Sequence, residues 1–233
     1  MSDSILQVNL IKDKGGNATG ITVADSSANV TIGNLTHTAG SIGSAVTGNW
    51  GWKLLQTATA SGSDTTLTIG NATHLSSTYS TYKIIMEDFV MPASHALLAE
   101  FYIGGSLKTS NSYDYQVYGY DSANVDRKNQ ATQQQTYMYI TPIAFGPHDT
   151  DNTGINGEFT LTQPSLTRWH GIRWTLDYWD NDTRACTTIG TGGHRRHRDS
   201  GDKGALTGVR FKSNNSSSNI TRGTLRLYGV INA

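Results

Sequence analysis

The densest group of ionisable side chains in the sequence lies between glycines, from position 191 to position 204. Its basic members are His194, Arg195, Arg196, His197 and Arg198. Glycines on both sides predict an exposed loop rather than a strand, and clustered guanidinium groups bind phosphates, carboxylates and other polyanions. Two histidines alone do not fill a zinc coordination shell. We therefore predict a contact with a polyanion, and a solvated loop balanced by Asp199 and Asp202 is the alternative.

The tryptophans of the segment between positions 169 and 179 form a second group. Exposed indole rings such as Trp169, Trp174 and Trp179 can stack on the faces of sugar rings. The nearby Asp177 and Asp180 could then accept hydrogen bonds from sugar hydroxyls. Aromatic residues are also the ordinary filling of a β-sandwich core. The segment is therefore a candidate carbohydrate platform, with core packing as the alternative.

Oxygen-bearing side chains alternate along Asp149–Glu158, as they do at the start of a calcium-binding loop. The acid that should close such a loop twelve residues in is absent, because position 160 is Thr and Glu158 comes too early. A polar turn between two strands is the alternative. Sequence motifs of serine hydrolases, phosphate-binding loops and zinc proteases do not occur. We therefore predict a protein that is not an enzyme and that needs no cofactor or metal.

The charge balance excludes several other classes of protein. Lys and Arg together number 18, Asp and Glu also number 18, and only 15% of the residues are charged. A dedicated nucleic-acid-binding protein would carry a basic field over the whole domain. The single cysteine excludes an intramolecular disulfide framework. Neither a secretory signal nor an apolar run of about 18 residues is present, so we predict synthesis in a cytoplasm and no membrane insertion.

The segments that must position these residues are predicted to be β-strands. Short β-branched or aromatic segments, bounded by Gly, Ser, Asn or Asp, recur from Trp52 onward, and helical signals are scarce. The predicted strands are Thr65–Ile69, Tyr82–Met86, Leu97–Ile103, Tyr113–Tyr120, Thr136–Ile140, Gly157–Thr162, Gly171–Tyr178, Leu206–Phe211 and Thr221–Val230. That number of strands favours an antiparallel sandwich of two sheets. We therefore predict an all-β fold in which residues 52–233 form a jelly-roll-like β-sandwich.

The first 51 residues have a different composition from the rest of the chain. One predicted strand contains Ile5, Leu6, Val8, Leu10 and Ile11, and the positions from 36 to 51 are small, polar and rich in glycine. A segment with so few large apolar residues cannot hold a core of its own. It either adds strands to the main domain or packs against copies of itself or a partner. We favour the second arrangement and predict an extended β segment for attachment and oligomerisation.

Both ends of the chain resemble a known group of proteins. The start, Ile5–Asn17 running into Gly20–Val23 and Val30–Ile32, is similar to the opening of virion structural proteins from tailed bacteriophages, especially marine and cyanobacterial phages. The end, Gly208–Phe211 followed by Asn219–Val230, looks like the strand pair that closes the β-sandwich of those proteins. Counted from the first to the last residue at each end, the two stretches span about 50 residues. They are structural and include no catalytic motif.

The resemblance implies a fibre, spike or capsid-decorating protein that works in the virion. Such a protein is usually a homotrimer, with its N-terminus bound to other virion proteins and its sandwich facing outward. We therefore predict a fibre or spike component that binds polysaccharide on the host surface. A capsid decoration protein without a receptor role is the alternative. The resemblance does not decide between the tail and the head of the particle.

Overall fold

The computed structural model describes residues 51–92, 95–110, 112–122, 130–142, 154–180, 184–194 and 204–231. Contacts between Cα atoms divide the chain into Met1–Thr47 and Gly48–Ala233, and every described residue belongs to the second unit. The predicted N-terminal strand with Ile5, Leu6, Val8, Leu10 and Ile11 lies outside the described residues.

The described residues form thirteen β-strands and no helix. The strands are β1 (Gly51–Thr59), β2 (Thr66–Ile69), β3 (Thr81–Val90), β4 (Leu97–Ile103), β5 (Ser106–Leu107), β6 (Tyr113–Asp121), β7 (Gln130–Gln135), β8 (Met138–Tyr139), β9 (Ile155–Thr162), β10 (His170–Trp179), β11 (Ala185–His194), β12 (Leu206–Ser213) and β13 (Arg222–Ile231). No helix in this part of the chain is long and apolar enough to cross a membrane.

Two antiparallel sheets are built from these strands. The larger sheet has the strand order β1-β13-β3-β9-β10-β11-β6-β7, and the smaller has the order β2-β12-β4-β5, with β8 also paired to β4. The rings of Phe159 in the larger sheet and Phe211 in the smaller lie 4.9 Å apart between centroids. The predicted all-β fold and antiparallel sandwich are therefore confirmed.

Eight of the strands pair in a nested order. β1 pairs with β13, β2 with β12, β3 with β9, and β4 with β8, so that successive pairs fall in alternate sheets. The finer description as a jelly roll stays a prediction. Of the other five strands, β10, β11, β6 and β7 widen the larger sheet on one side, and β5 extends the smaller sheet beside β4.

The core lies between the two sheets because inward and outward residues alternate along the strands. In β10, His170, Ile172, Trp174, Leu176 and Tyr178 are buried, whereas the residues between them are exposed. Successive side chains of a strand point to opposite faces, so this pattern identifies one buried and one solvated face. The solvated face of the larger sheet is therefore available for a ligand.

The two ends of the larger sheet differ in what they carry. The chain enters the sandwich at Gly51, and the entry end runs from there through Ile231, Thr81, Thr162 and His170. The far end carries Thr59, Arg222, Val90, Ile155 and Trp179. Since β1 is nine residues long, the two ends are separated by about 30 Å at 3.3 Å per residue.

Candidate ligand-binding face

Strand β10 places four functional side chains on the solvated face of the larger sheet. They are Arg173, Thr175, Asp177 and Trp179. Their buried neighbours in the sequence pack in the core, which fixes the direction in which the outward residues point. Trp179 remains 46% exposed at the far end although its ring is large and apolar. An exposed indole beside polar groups is a surface on which a flat apolar ligand face can stack.

Trp179 borders a recess of about 460 Å³ at the far end of the sheet. The polar residues that line it are Asp88, Asn156, Asp177 and Thr187, which come from four neighbouring strands or their ends. Thr187 Oγ1 donates a hydrogen bond of 2.6 Å to Asp177 Oδ1. That bond fixes the carboxylate while its second oxygen can accept another donor. The recess therefore combines an aromatic ring with several hydrogen-bonding oxygens.

An irregular stretch of β3 positions Asp88 at this recess. The β3–β9 register shifts between Met86 and Phe89, and Asp88 has a φ of 49°, in the left-handed region. Asn156 Oδ1 accepts a 2.9 Å hydrogen bond from the Asp88 amide. A side chain at Gly154 would come within 3.0 Å of the Asp88 backbone, so only glycine allows this close approach. These contacts fix the stretch of backbone that carries the Asp88 side chain.

Arg222 holds the Asp88 carboxylate from the side. Its Nε and Nη2 atoms donate hydrogen bonds of 2.6 Å and 3.0 Å to the two oxygens of Asp88. Hydrogen bonding to Asp88 raises the pKa of Arg222. This bidentate ion pair fixes the orientation of the carboxylate more firmly than a single hydrogen bond would. The recess is therefore ordered by protein contacts before any ligand arrives.

A second recess, of about 370 Å³, lies in the middle of the same face. Its lining residues include Lys83, Glu158, Thr160, Arg173, Thr175 and Ile189. Trp174 and Gly190 form its floor, and Trp174 Nε1 donates a 2.9 Å hydrogen bond to the Ile140 carbonyl. Lys83 forms an ion pair with Glu158 and also lies 5.8 Å from the Trp52 ring.

The two recesses follow one another along the same three strands. In β10 the lining passes from Arg173 and Thr175 to Asp177 and Trp179. In β9 it passes from Glu158 to Asn156, and in β11 from Ile189 to Thr187. We call the two recesses together the outer groove. It is basic at its centre and acidic, with an aromatic ring, at the far end.

The tryptophans predicted as one platform lie in three different environments. Trp169, which immediately precedes β10, is 61% exposed at the entry end, whereas Trp179, the last residue of β10, is at the far end, ten residues further along the chain. That distance is about 33 Å, too long for both rings to contact one sugar. Trp174 is only 2% exposed, which corrects its prediction as a ligand-stacking residue. Successive side chains of a strand point to opposite faces, and Trp174 lies an odd number of positions from Trp179. The Trp174 side chain therefore points into the core, whereas that of Trp179 points to solvent.

His194 also differs from its prediction. It is the last residue of β11, is 3% exposed, and lies across the ladder from His170 and Tyr113. Its ring stacks edge-on against the Tyr113 ring at 5.5 Å. The predicted exposed loop therefore does not include His194, because the strand pairs on both sides up to this residue. Arg195, Arg196, His197 and Arg198 lie outside the described residues.

The predicted calcium segment is described only from Gly154 onward. Within that part, Asn156 Nδ2 donates a 2.9 Å hydrogen bond to the Gly154 carbonyl, and Glu158 pairs with Lys83. The described residues contain no cluster of three or more His, Cys, Asp or Glu side chains suited to a metal ion.

No protein-family model, curated protein or solved structure matches this chain. The resemblance of its two ends to virion proteins of tailed bacteriophages therefore stays a prediction.

Several residues of the outer groove were not singled out from the sequence. Asp88 and Thr187 reach the far recess from strands that are distant along the chain, so no local pattern joins them, and Asn156 was considered only as part of the predicted calcium segment. Arg173 and Trp179 could have been grouped, because they have the same parity in a strand that alternates over its whole length.

Proposed function

We propose that this protein is a virion structural component of a tailed bacteriophage, of the fibre or spike type, and that its sandwich binds polysaccharide on the host surface. The single observation that carries the binding role is the far recess. It presents an exposed indole ring, Trp179, beside hydrogen-bonding oxygens and amides from Asp88, Asn156, Asp177 and Thr187.

The chemistry of the recess suits a sugar ring. The apolar face of a sugar can stack on Trp179, which removes apolar surface from water. Its hydroxyl groups can donate to the carboxylates of Asp88 and Asp177 and exchange hydrogen bonds with Asn156. Because Arg222 and Thr187 hold the two carboxylates in place, less side-chain entropy is lost when a ligand binds.

Oligomerisation would strengthen a weak site. A homotrimer held by the N-terminal segment would present three copies of the outer groove, and many copies would decorate one particle. Linked sites raise the overall avidity by a factor of about 10² or more without any new contact. A site of modest affinity is therefore sufficient for attachment to a repetitive polysaccharide. Sedimentation of the full chain as a trimer is the result we expect.

The binding role is tested by a matched pair of tryptophan variants. The full chain, Trp179→Ala and Trp169→Ala are applied to an array of bacterial surface polysaccharides. Loss of a stacked, central aromatic residue costs about 2 kcal/mol, so Trp179→Ala should weaken binding about 30-fold. Trp169→Ala removes an equally large exposed ring at the entry end and should bind as the unaltered chain does.

A different pattern would favour the decoration role. If no polysaccharide is bound, while particles without the protein adsorb normally but lose capsid stability, the protein is a capsid decoration component. If Trp169→Ala weakens binding and Trp179→Ala does not, the ligand contacts the entry end and the far recess is not the site.

A further inference from the structure

We infer that the outer groove has a second subsite, centred on Arg173, which binds a carboxylate or phosphate group of the same polysaccharide. This inference rests on the proposed function and adds to it the chemical class of the ligand. The ligand is an anionic polysaccharide whose sugar ring stacks at the far recess and whose charged group reaches the centre of the face.

Arg173 is the cation that the neighbouring side chains leave unbalanced. On the same face, Lys83 pairs with Glu158, Arg226 with Glu87, and Arg222 with Asp88. None of the ion pairs between described residues involves Arg173, which is exposed in the middle of β10. An exposed guanidinium without a protein partner is suited to bind an external anion.

The surroundings of Arg173 increase its attraction for an anion. Lys83 adds a second cation to the central recess, and Glu158 offsets only one of the two positive charges. The hydroxyl groups of Thr160 and Thr175 line the same recess and can donate hydrogen bonds to oxygen atoms of an anion. The central recess therefore has a net positive charge in a chain whose overall net charge is zero.

The spacing allows one ligand to occupy both subsites. Arg173 and Trp179 are six residues apart on β10 and point to the same face, which places them about 20 Å apart. The lining residues between them, Thr175 and Asp177, are successive outward positions with no side chain of β10 in between. An extended polysaccharide can follow this row, whereas a single sugar cannot reach both ends.

The experiment uses the polysaccharides that the unaltered full chain binds on the array, each in three forms. One form is untreated, one has its carboxyl groups reduced to hydroxyls, and one has its phosphate groups removed. Arg173→Gln is compared with Arg226→Gln, which alters a cation on the same face that is already paired with Glu87. Both variants should retain the fold, because each changes one exposed or partly exposed side chain.

We expect Arg173→Gln to bind the untreated polysaccharide about tenfold more weakly, because a hydrogen-bonded charge pair is lost. Removing the anionic group from the polysaccharide should weaken binding of the unaltered chain by a similar factor and should not weaken Arg173→Gln further. Arg226→Gln should bind as the unaltered chain does. The treatment that has the effect identifies whether the group is a carboxylate or a phosphate.

The second subsite is overturned if Arg173→Gln binds as well as the unaltered chain, or if the neutral forms of the polysaccharide bind equally well. In that case Trp179→Ala still distinguishes the two proposals. If Trp179→Ala loses binding, the polysaccharide role stands without the anionic subsite. If Trp179→Ala binds normally, or if the unaltered chain binds no polysaccharide, both proposals fail.

Discussion

Replacing Gly190 by alanine should destabilise the sandwich and disturb the floor of the outer groove. A Cβ atom at Gly190 would lie within 3.0 Å of two carbon atoms of the Trp174 indole and of the Gln116 carbonyl oxygen. The indole cannot move aside at low cost, because it is 2% exposed and its Nε1 is bonded to the Ile140 carbonyl. Either the ring leaves its rotamer or strands β10 and β11 separate.

The size of the effect follows from two contributions. Overpacking a filled core costs about 1–3 kcal/mol, and weakening the indole hydrogen bond costs about 1 kcal/mol more. The free energy of unfolding should therefore fall by about 2–4 kcal/mol. For a domain of this size, that loss lowers the melting temperature by about 5–15 °C.

Thermal unfolding followed by circular dichroism measures this change, with Gly171→Ala as the matched control. Gly171 lies in the same β10–β11 hairpin, but a Cβ atom there would meet only the Gly192 carbonyl oxygen, at an ordinary 3.5 Å. The control should melt within about 2 °C of the unaltered protein, because a surface change away from special features costs about 0.5 kcal/mol or less. If Gly190→Ala has the same melting temperature as Gly171→Ala, Trp174 does not pack over Gly190 as described.

Three further predictions concern buried ionisable groups. Glu100 is 1% exposed and accepts hydrogen bonds from Arg210 and Lys212. Because Glu100→Gln leaves these two cations without their buried partner charge, it should lower the free energy of unfolding by about 3 kcal/mol. Urea titration measures this change, and an unchanged midpoint would contradict the prediction. Burial lowers the pKa of His170, so the folded state binds fewer protons than the unfolded chain, and the melting temperature should fall as the pH drops below about 6.5. The same comparison for His170→Gln should show a smaller fall. Burial also raises the pKa of Tyr178, so the difference in ultraviolet absorbance between the unaltered chain and Tyr178→Phe should show a phenol that ionises above about pH 10, and ionisation at the ordinary pH would contradict this.

Most of the sandwich could be predicted because its strands carry their own apolar side chains. The predicted Leu97–Ile103 coincides with β4, and the predicted Gly171–Tyr178 lies within β10. The alternation of buried and exposed residues in β10 is visible in the sequence alone. In these strands the local pattern and the tertiary packing agree.

Strand β11 could not be predicted because several of its residues are glycines, and large side chains of the neighbouring strands fill the space beside them. Gly190 lies beneath Trp174, and a Cβ atom at Gly192 would come within 2.7 Å of Tyr115. Glycines at such positions indicate a loop when only the sequence is read, whereas here they make room for large rings across the ladder. β7 was missed for a different reason, since its sequence from Gln130 to Gln135 contains no large apolar or β-branched aliphatic residue.

The candidate site was predicted in part. The sequence indicated that Trp179 and Asp177 could contact a sugar, and the structure places both at the far recess. It could not separate Trp179 from Trp169, because the 33 Å between them, about ten residues at 3.3 Å each, depends on β10 being one unbroken strand. Asp88 joins the site only through pairing between β3 and β9, which no local pattern reveals.

The most direct test of the polysaccharide site is fluorine NMR of the full chain labelled with 5-fluorotryptophan. The five tryptophans give separate signals, which single substitutions assign to Trp50, Trp52, Trp169, Trp174 and Trp179. On titration with a polysaccharide that the protein binds, the Trp179 signal should shift while the Trp169 signal stays in place. A shift of Trp169 or Trp52 with an unmoved Trp179 would contradict the account, because the ligand would then lie at the entry end.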